Sequence, residues 1–331
     1  MKISLERAEQ LAHESLGALG YSAQDSRTIA RHLIDCELRG LDYGGLARIL
    51  SIADRLAANP STGRPTRVTR ESPVSAQLDG GDRVGYLVAS EATQMAIEKA
   101  RASGIGAVGA NNTWYTGMLS HYAEQVAAEG MVAVIASNAT PWVAPVGGSE
   151  GRFGTNPMCF GFPSEGVPLI WDIGVSEIIH AQVVMARRTG QPLPAGVAYD
   201  AGGRPTRDPA AALAGSFVNW GGHKGSGLGI VVQLLGVLAG SPILPGDLQD
   251  FGFLVIGIRP DLFVDPQAFR ASVSEYAAQI RATRRLDDGV PVRVPFERSA
   301  ALRAERLTSG SIDVADVVYA AVVDLAKSAA R

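Results

Sequence analysis

The sequence predicts an α/β fold, and three observations carry that expectation. Two short apolar runs, Gly106–Gly109 and Val132–Ala136, read as buried strands, and the helical segment Leu119–Ala128 lies between them in β-α-β order. Residues 4–57 read as helical, so a helical part precedes the α/β region. The 331 residues are 46% hydrophobic and 19% charged, enough for a sizeable core in one large or two medium domains and unlike a disordered chain.

Taken in order, Leu11, Ala12, Leu16 and Leu19 recur at helical spacing until Gly20 stops the run. Asp25 and Ser26 offer caps for a second helix through Ile29, Leu33, Ile34 and Leu38. Gly40–Gly45 interrupts the pattern and Leu46–Leu56 resumes it. The Pro/Thr/Arg-rich stretch Pro60–Pro73 reads as a connector, and Tyr86–Ala102 as an amphipathic helix. Leu169–Ile173 and Phe253–Ile258 are further strand candidates. Gly225–Leu238 is apolar almost all round and predicts a buried helix. Asp265–Arg284 and Asp313–Ala329 close the chain as amphipathic helices.

Composition narrows the function classes. Lys and Arg total 30 against 33 Asp and Glu, a net charge of -3, with no basic block to suggest nucleic-acid binding. The longest apolar run, Ile230–Ala239, is too short to span a bilayer and carries Gln233, and the N-terminus lacks a signal-peptide core. Cys36 and Cys159 sit in apolar surroundings and lack metal-clamp spacing, so they read as buried thiols in a reducing compartment; a cytoplasmic protein is expected.

The motifs are quiet individually. No GxGxxG follows a strand and no Walker sequence is present. Gly221–Leu228 places Lys224 among glycines ahead of an apolar helix, which suits either a phosphate site or a plain flexible loop. Asp172 ends an apolar strand, where a carboxylate ordinarily forms a turn hydrogen bond. His13, His32, His121, His180 and His223 form no His-x-His or His-x-x-x-His pair, so no histidine-built metal site is expected.

Several segments together carry a resemblance. Leu38-Arg39-Gly40-Leu41-Asp42 with Arg48 is similar to an LRGxDSHGxxR segment. Ser137-Asn138, Pro145-Val146-Gly147-Gly148 and Gly154-Thr155-Asn156-Pro157 resemble the run TNSPPxxAPxGG…GTNP. Asp172 and Ser176 match the ends of DMATS. Tyr199-Asp200 through Asp208-Pro209 matches DxDGxPTxDP, and Gly222-His223-Lys224-Gly225 matches GGxKG. In this order, over nearly the whole chain, these segments resemble the type-2 malate/L-lactate dehydrogenase family, nicotinamide-dependent oxidoreductases of 2-oxo and 2-imino acids.

The resemblance implies a non-Rossmann sulfolactate/malate dehydrogenase fold. A helical substrate-side region of residues 1–75 with 260–331 would flank a central α/β dinucleotide-binding region, 76–259. It also implies a homodimer, NADH or NADPH as cofactor and a small carboxylate as substrate. By position, cofactor contacts fall on Asn138, Asp172, Ser176, Lys224, Gly225, Pro295 and Glu297. Substrate contacts fall on Asn156 and on Arg48, whose planar fork suits a carboxylate.

The departures converge on one place. Tyr43-Gly44 replaces the Ser-His that supplies the family's proton-donating histidine, and Tyr115 stands near where a second histidine is usual. Phe296 replaces the glycine of a Pro-Gly-Glu turn, His180 an arginine and Ser226 a tyrosine. One reading keeps the redox chemistry: an iminium already carries its proton, so a 2-imino acid tolerates loss of a general acid better than a 2-oxo acid does. Tyr43 or Tyr115 would serve as donor if neighbours lower a phenol pKa of about 10, with Asp172 stabilising the iminium. A second reading is a non-redox enzyme (lyase, cyclase or isomerase) or binding protein on the same scaffold. A third moves the acid to His121 or His223.

Overall fold

The structure, a computed structural model, describes residues 1–287 and 289–328. The chain runs β1 (Lys2–Ser4), α1 (Leu5–Ala18), α2 (Ala23–Leu38), a 3-10 turn (Asp42–Gly44), α3 (Ala47–Ala58), β2 (Arg67–Glu71), β3 (Ser75–Val84), α4 (Gly85–Ser103), β4 (Ile105–Trp114), α5 (Ser120–Ala128) and β5 (Val132–Ser137). It continues through β6 (Val143–Ala144), β7 (Met158–Phe162), β8 (Leu169–Ile173), α6 (His180–Thr189), β9 (Ala198–Tyr199), α7 (Pro209–Ala214), β10 (Ser216–Val218), α8 (His223–Leu238) and β11 (Phe251–Ile258). The closing elements are α9 (Pro266–Arg281), α10 (Glu297–Ser309), β12 (Ser311–Asp313) and α11 (Asp316–Ser328). The expected last helix reached Ala329, which lies outside the described residues.

The main sheet has seven strands in the order β2-β3-β4-β11-β5-β7-β8. The β4-α5-β5 unit is present, but its strands are not neighbours. β11 lies between them, antiparallel to both, with Val255 opposite Val108 on one side and Ile135 on the other. Strand β8 pairs antiparallel with β7, which pairs antiparallel with β5. The carboxyl ends of β4, β5 and β8 therefore open on the same edge of the sheet, where ligand sites in α/β sheets form. Helix α4 lies close on β4 because Gly106 has no side chain; a Cβ there would meet the Ala96 carbonyl at 2.1 Å.

Two cores flank that edge. Leu11, Leu16, Ile29, Leu33, Ile49 and Val322 bind α1, α2, α3 and α11 together. Val88, Ala96, Val108, Val126, Phe253 and Val255 pack α4 and α5 on the sheet. Fully burying each such large side chain contributes about 1.5–3 kcal/mol. The C-terminal segment returns to the start of the chain, β1 pairing antiparallel with β12.

Three expectations need correction, and one strand has no counterpart among them. Ser22, not Asp25 or Ser26, caps α2, its hydroxyl accepting from the Asp25 amide at 3.1 Å. The expected connector Pro60–Pro73 contains edge strand β2, exposed along its length, so it lacks the apolar alternation that betrays a strand. Strand β3 was hidden by its polar residues, although Ala76 and Leu78 alternate inward. Helix α8 is not buried all round: Ile230, Val231, Leu234 and Leu238 are exposed, the last by 73%.

Candidate functional site

The strand ends open into a cavity of about 710 Å³ between the sheet and the helical part. The turn after α2 supplies Tyr43 and Gly44, and the first turn of α3 supplies Arg48. Tyr115–Met118 follow β4, Ser137–Ala139 close β5, and Asp172 lies near the end of β8. The start of α6 brings His180, and the strap before α10 brings Arg293, Pro295 and Phe296. Gly44, Tyr115 and Phe296, the three sequence departures around the expected chemistry, thus line one space.

Charge in this cavity is uneven. Arg39, Arg48, Arg293 and Arg298 line it, whereas Asp172 is the one carboxylate among the described lining residues. Arg48 is 8% exposed, lies 4.4 Å over the Tyr115 ring, and leaves a buried Nη1 with no partner. A buried guanidinium without a carboxylate is costly unless an anion joins it. Asp172 accepts a hydrogen bond from the Ser120 amide at 2.7 Å, yet loss of hydration raises its pKa to about 6. It is therefore mainly ionised at neutral pH, a single negative charge among cations.

The turn carrying Tyr43 is held by a buried carboxyl. Glu37 Oε1 accepts from the Leu46 amide at 2.7 Å, its Oε2 is buried without a partner, and burial pushes its pKa up to about 8. Gly45 has to be glycine here, since a Cβ would lie 2.2 Å from Glu37 Oε1.

The tyrosine acids expected from the sequence do not meet their condition. Burial raises the Tyr43 phenol to about 12, with Cys36, Asp172 and Asp42 acting in the same direction. Tyr115 is also raised by burial, against the opposing pull of Arg48. Both line the cavity, but as phenols they are weaker acids than free tyrosine. Tyr115 holds a left-handed backbone, φ 54°.

Other expected contacts divide. Asn138 lines the cavity, but its side chain is committed elsewhere, accepting from the Gly252 amide and donating to Ser241 Oγ at 3.0 Å. Asn156 is fully buried beside the cavity and does not line it; its amide donates to Gly229 O at 2.8 Å and Gln233 Oε1 at 3.0 Å. Its role here is to fasten the turn to α8. Lys224 is exposed and Gly225 is buried against the Trp220 carbonyl, both outside the cavity lining. Ser176 Oγ is buried and unpartnered outside the lining, and Ser176 bridges to Asn219. Glu297 accepts from the Val294 amide and pairs with Arg281, while Pro295 reaches the cavity wall. Phe296 caps α10 with φ 77°, and Arg39 lies 4.6 Å over its ring.

Neither histidine expected as a moved acid lines the cavity. His121 Nδ1 lies 3.1 Å from Asp35, and His223 is exposed at the start of α8. His32 Nε2 accepts from the Met118 amide at 2.9 Å and is buried. His180 lines the cavity instead, stacked on Trp142 with ring centroids 4.0 Å apart and planes 9° from parallel. Its sequence signal was a histidine near a loop, standing where the family pattern has an arginine; the stack that fixes it comes from a distant segment.

The family model for malate/L-lactate dehydrogenase matches residues 3–323. The chain is 34% identical over 316 residues to the (2R)-3-sulfolactate dehydrogenase (NADP(+)) of Chromohalobacter salexigens, covering 92% of each chain. It is 32% identical over 294 residues to the L-sulfolactate dehydrogenase of Methanothermobacter thermautotrophicus, covering 86% of each. The solved Δ1-piperideine-2-carboxylate reductase of Pseudomonas syringae superposes with a TM-score of 0.86 at 27% identity, covering 98% of this chain and 99% of that one. A resemblance that rested on short motifs is thus matched along the length of the sequence and in three dimensions, and the chain belongs to the malate/L-lactate dehydrogenase family.

Proposed function

We propose that the protein is an NAD(P)H-dependent oxidoreductase that reduces a small 2-imino carboxylic acid, with 2-oxo acids as poorer substrates. The observation that carries this reading is the buried, unpartnered Nη1 of Arg48 in a cavity whose one lining carboxylate is Asp172. Arg48 binds the substrate carboxylate through its unpartnered Nη1. Asp172, ionised at neutral pH, favours a cationic C=N⁺ group over a neutral carbonyl. Hydride addition to an iminium gives an amine without a proton donor, which suits a site with glycine at position 44 and two phenols of raised pKa.

The cavity also fits a dinucleotide in chemistry. Its volume lies within the range of ligand sites, roughly 300–1,000 Å³, and beyond Arg39, which is paired with Asp35 and Glu124, its three other arginines exceed the needs of one small carboxylate. Arg293 and Arg298 would hold the phosphates, and Thr116 and Ser137, which bond to each other at 3.0 Å, would border the nicotinamide. The bound cofactor supplies the hydride. The exposed apolar face of α8 fits the homodimer that family resemblance implies.

Phe296 favours a second reading. Its ring borders the cavity from a left-handed backbone where the family's Pro-Gly-Glu pattern implies glycine, and a non-redox enzyme or binding protein would have no need to admit a nicotinamide there. Titration with NADH and NADPH by fluorescence separates the two. Saturable binding of either supports the redox reading; no binding of either at millimolar concentration defeats it.

A further inference from the structure

We infer that His180 is a substrate contact, hydrogen-bonding the nitrogen or oxygen on C2 of the 2-imino or 2-oxo carboxylate whose carboxylate lies on Arg48. This rests on the reading of the cavity given above and adds the residue that reads the reacting end of the substrate. Among the cavity's described residues, His180 is the one imidazole. Its Nδ1 is buried with no partner, and no hydrogen bond to a described residue engages its Nε2. The other two histidines of this region lie outside the cavity lining: His121 pairs with Asp35, and His32 accepts from the Met118 amide at Nε2 while its Nδ1 is buried without a partner. A buried ring nitrogen without a partner is costly, and a ligand hydrogen bond recovers that cost.

The geometry holds the ring ready. Trp142 stacks flat on it, and Trp142 is itself fixed by its amide bond to Thr140 O and by the Phe217 amide donating to its carbonyl. The Tyr115 ring, 6.5 Å from the imidazole, is also the ring that carries the Arg48 guanidinium. Arg48, Tyr115 and His180 therefore form one wall, with an anion anchor at one end and an unused donor–acceptor at the other. Burial first, then the positive charges of Arg48, Arg187 and Arg188, lower the His180 pKa to about 3, so the free ring is neutral. A neutral imidazole offers one donor and one acceptor, which suits either C=N⁺–H or C=O. His180 thus supplies, from α6, the ring-nitrogen contact that Gly44 lacks.

The test uses two inhibitors that share a carboxylate. Oxamate also carries a C2 oxygen and an amide nitrogen, whereas acetate carries neither. Their affinities are measured by calorimetry on the full chain without cofactor, for wild type, His180→Phe and His180→Asn. His180→Phe keeps a ring to stack on Trp142 and removes both nitrogens. The expected result is a loss of oxamate affinity of about tenfold in His180→Phe, the effect of one net hydrogen bond. Acetate binding stays unchanged, and His180→Asn recovers part of the oxamate affinity. Equal oxamate binding by wild type and His180→Phe, or a parallel loss of both ligands, overturns the assignment and leaves the oxidoreductase reading standing. Failure of wild type to bind either ligand overturns both.

Discussion

Replacing Glu37 by Gln isolates the carboxyl that supports the turn carrying Tyr43 and Gly44. Gln keeps the acceptor for the Leu46 amide, so the perturbation removes a titration and little else. Burial holds the carboxyl at about 8 against an ordinary value of 4.5. Between those values the folded chain binds a proton that the unfolded chain has released. The stabilisation is complete below pH 4.5 and is lost as pH rises toward 8. At about 1.4 kcal/mol per pH unit, the wild type should lose roughly 2.5 kcal/mol from this group between pH 5 and pH 7. Urea unfolding at both pH values, for wild type and Glu37→Gln, measures the difference directly, and other titrating groups cancel in the comparison. Glu37→Gln should be the flatter of the two by that amount. Superimposable pH dependences would show that the Glu37 carboxyl ionises freely and that the turn is held by something else.

Other predictions concern the site. Tyr43→Phe and Tyr115→Phe should each leave kcat within about threefold of wild type, because raised phenol pKa values disqualify both as acids; a drop of a hundredfold or more in either would restore the phenol as donor. Asn156→Ala should lower stability by about 2 kcal/mol in urea unfolding while substrate KM stays unchanged, since its amide fastens Gly229 and Gln233; a raised KM at wild-type stability would return it to the substrate site. Gly44→His should fold, because a Cβ there meets Cys36 Sγ at 3.4 Å, an ordinary contact. It should raise 2-oxo acid reduction by about a hundredfold, the usual worth of a placed general acid; a folded variant without that gain would mean the cavity geometry no longer serves a carbonyl.

The sequence revealed where the site had changed better than how it now works. Gly44, Tyr115 and Phe296 are far apart in the chain, yet their departures from one motif set place them together, and all three line the cavity. Motif position did not separate ligand contacts from scaffolding. Asn156 fastens a turn, and the side chain of Asn138 clamps Gly252 to Ser241, because a loop that cradles a ligand also needs internal hydrogen bonds. His180 was legible as a departure from the family's arginine and not as a ligand contact, since that reading depends on Trp142 and Arg48 meeting it in space. Helix α8 shows the limit of periodicity: a helix apolar all round predicts that every face needs a partner, without requiring that the partner belong to the same chain.

Single-turnover reduction tests the central claim most directly. The chain, loaded with whichever of NADH or NADPH it binds, is mixed with a cyclic 2-imino carboxylate or with the 2-oxo acid of the same carbon skeleton, and loss of nicotinamide absorbance is followed. The account predicts oxidation of the cofactor by the imino acid at least about a hundredfold faster than by the oxo acid, the difference expected when one substrate needs a proton donor and the other does not. Equal rates would contradict an acid-free site, and no oxidation by any member of either class would contradict the oxidoreductase itself.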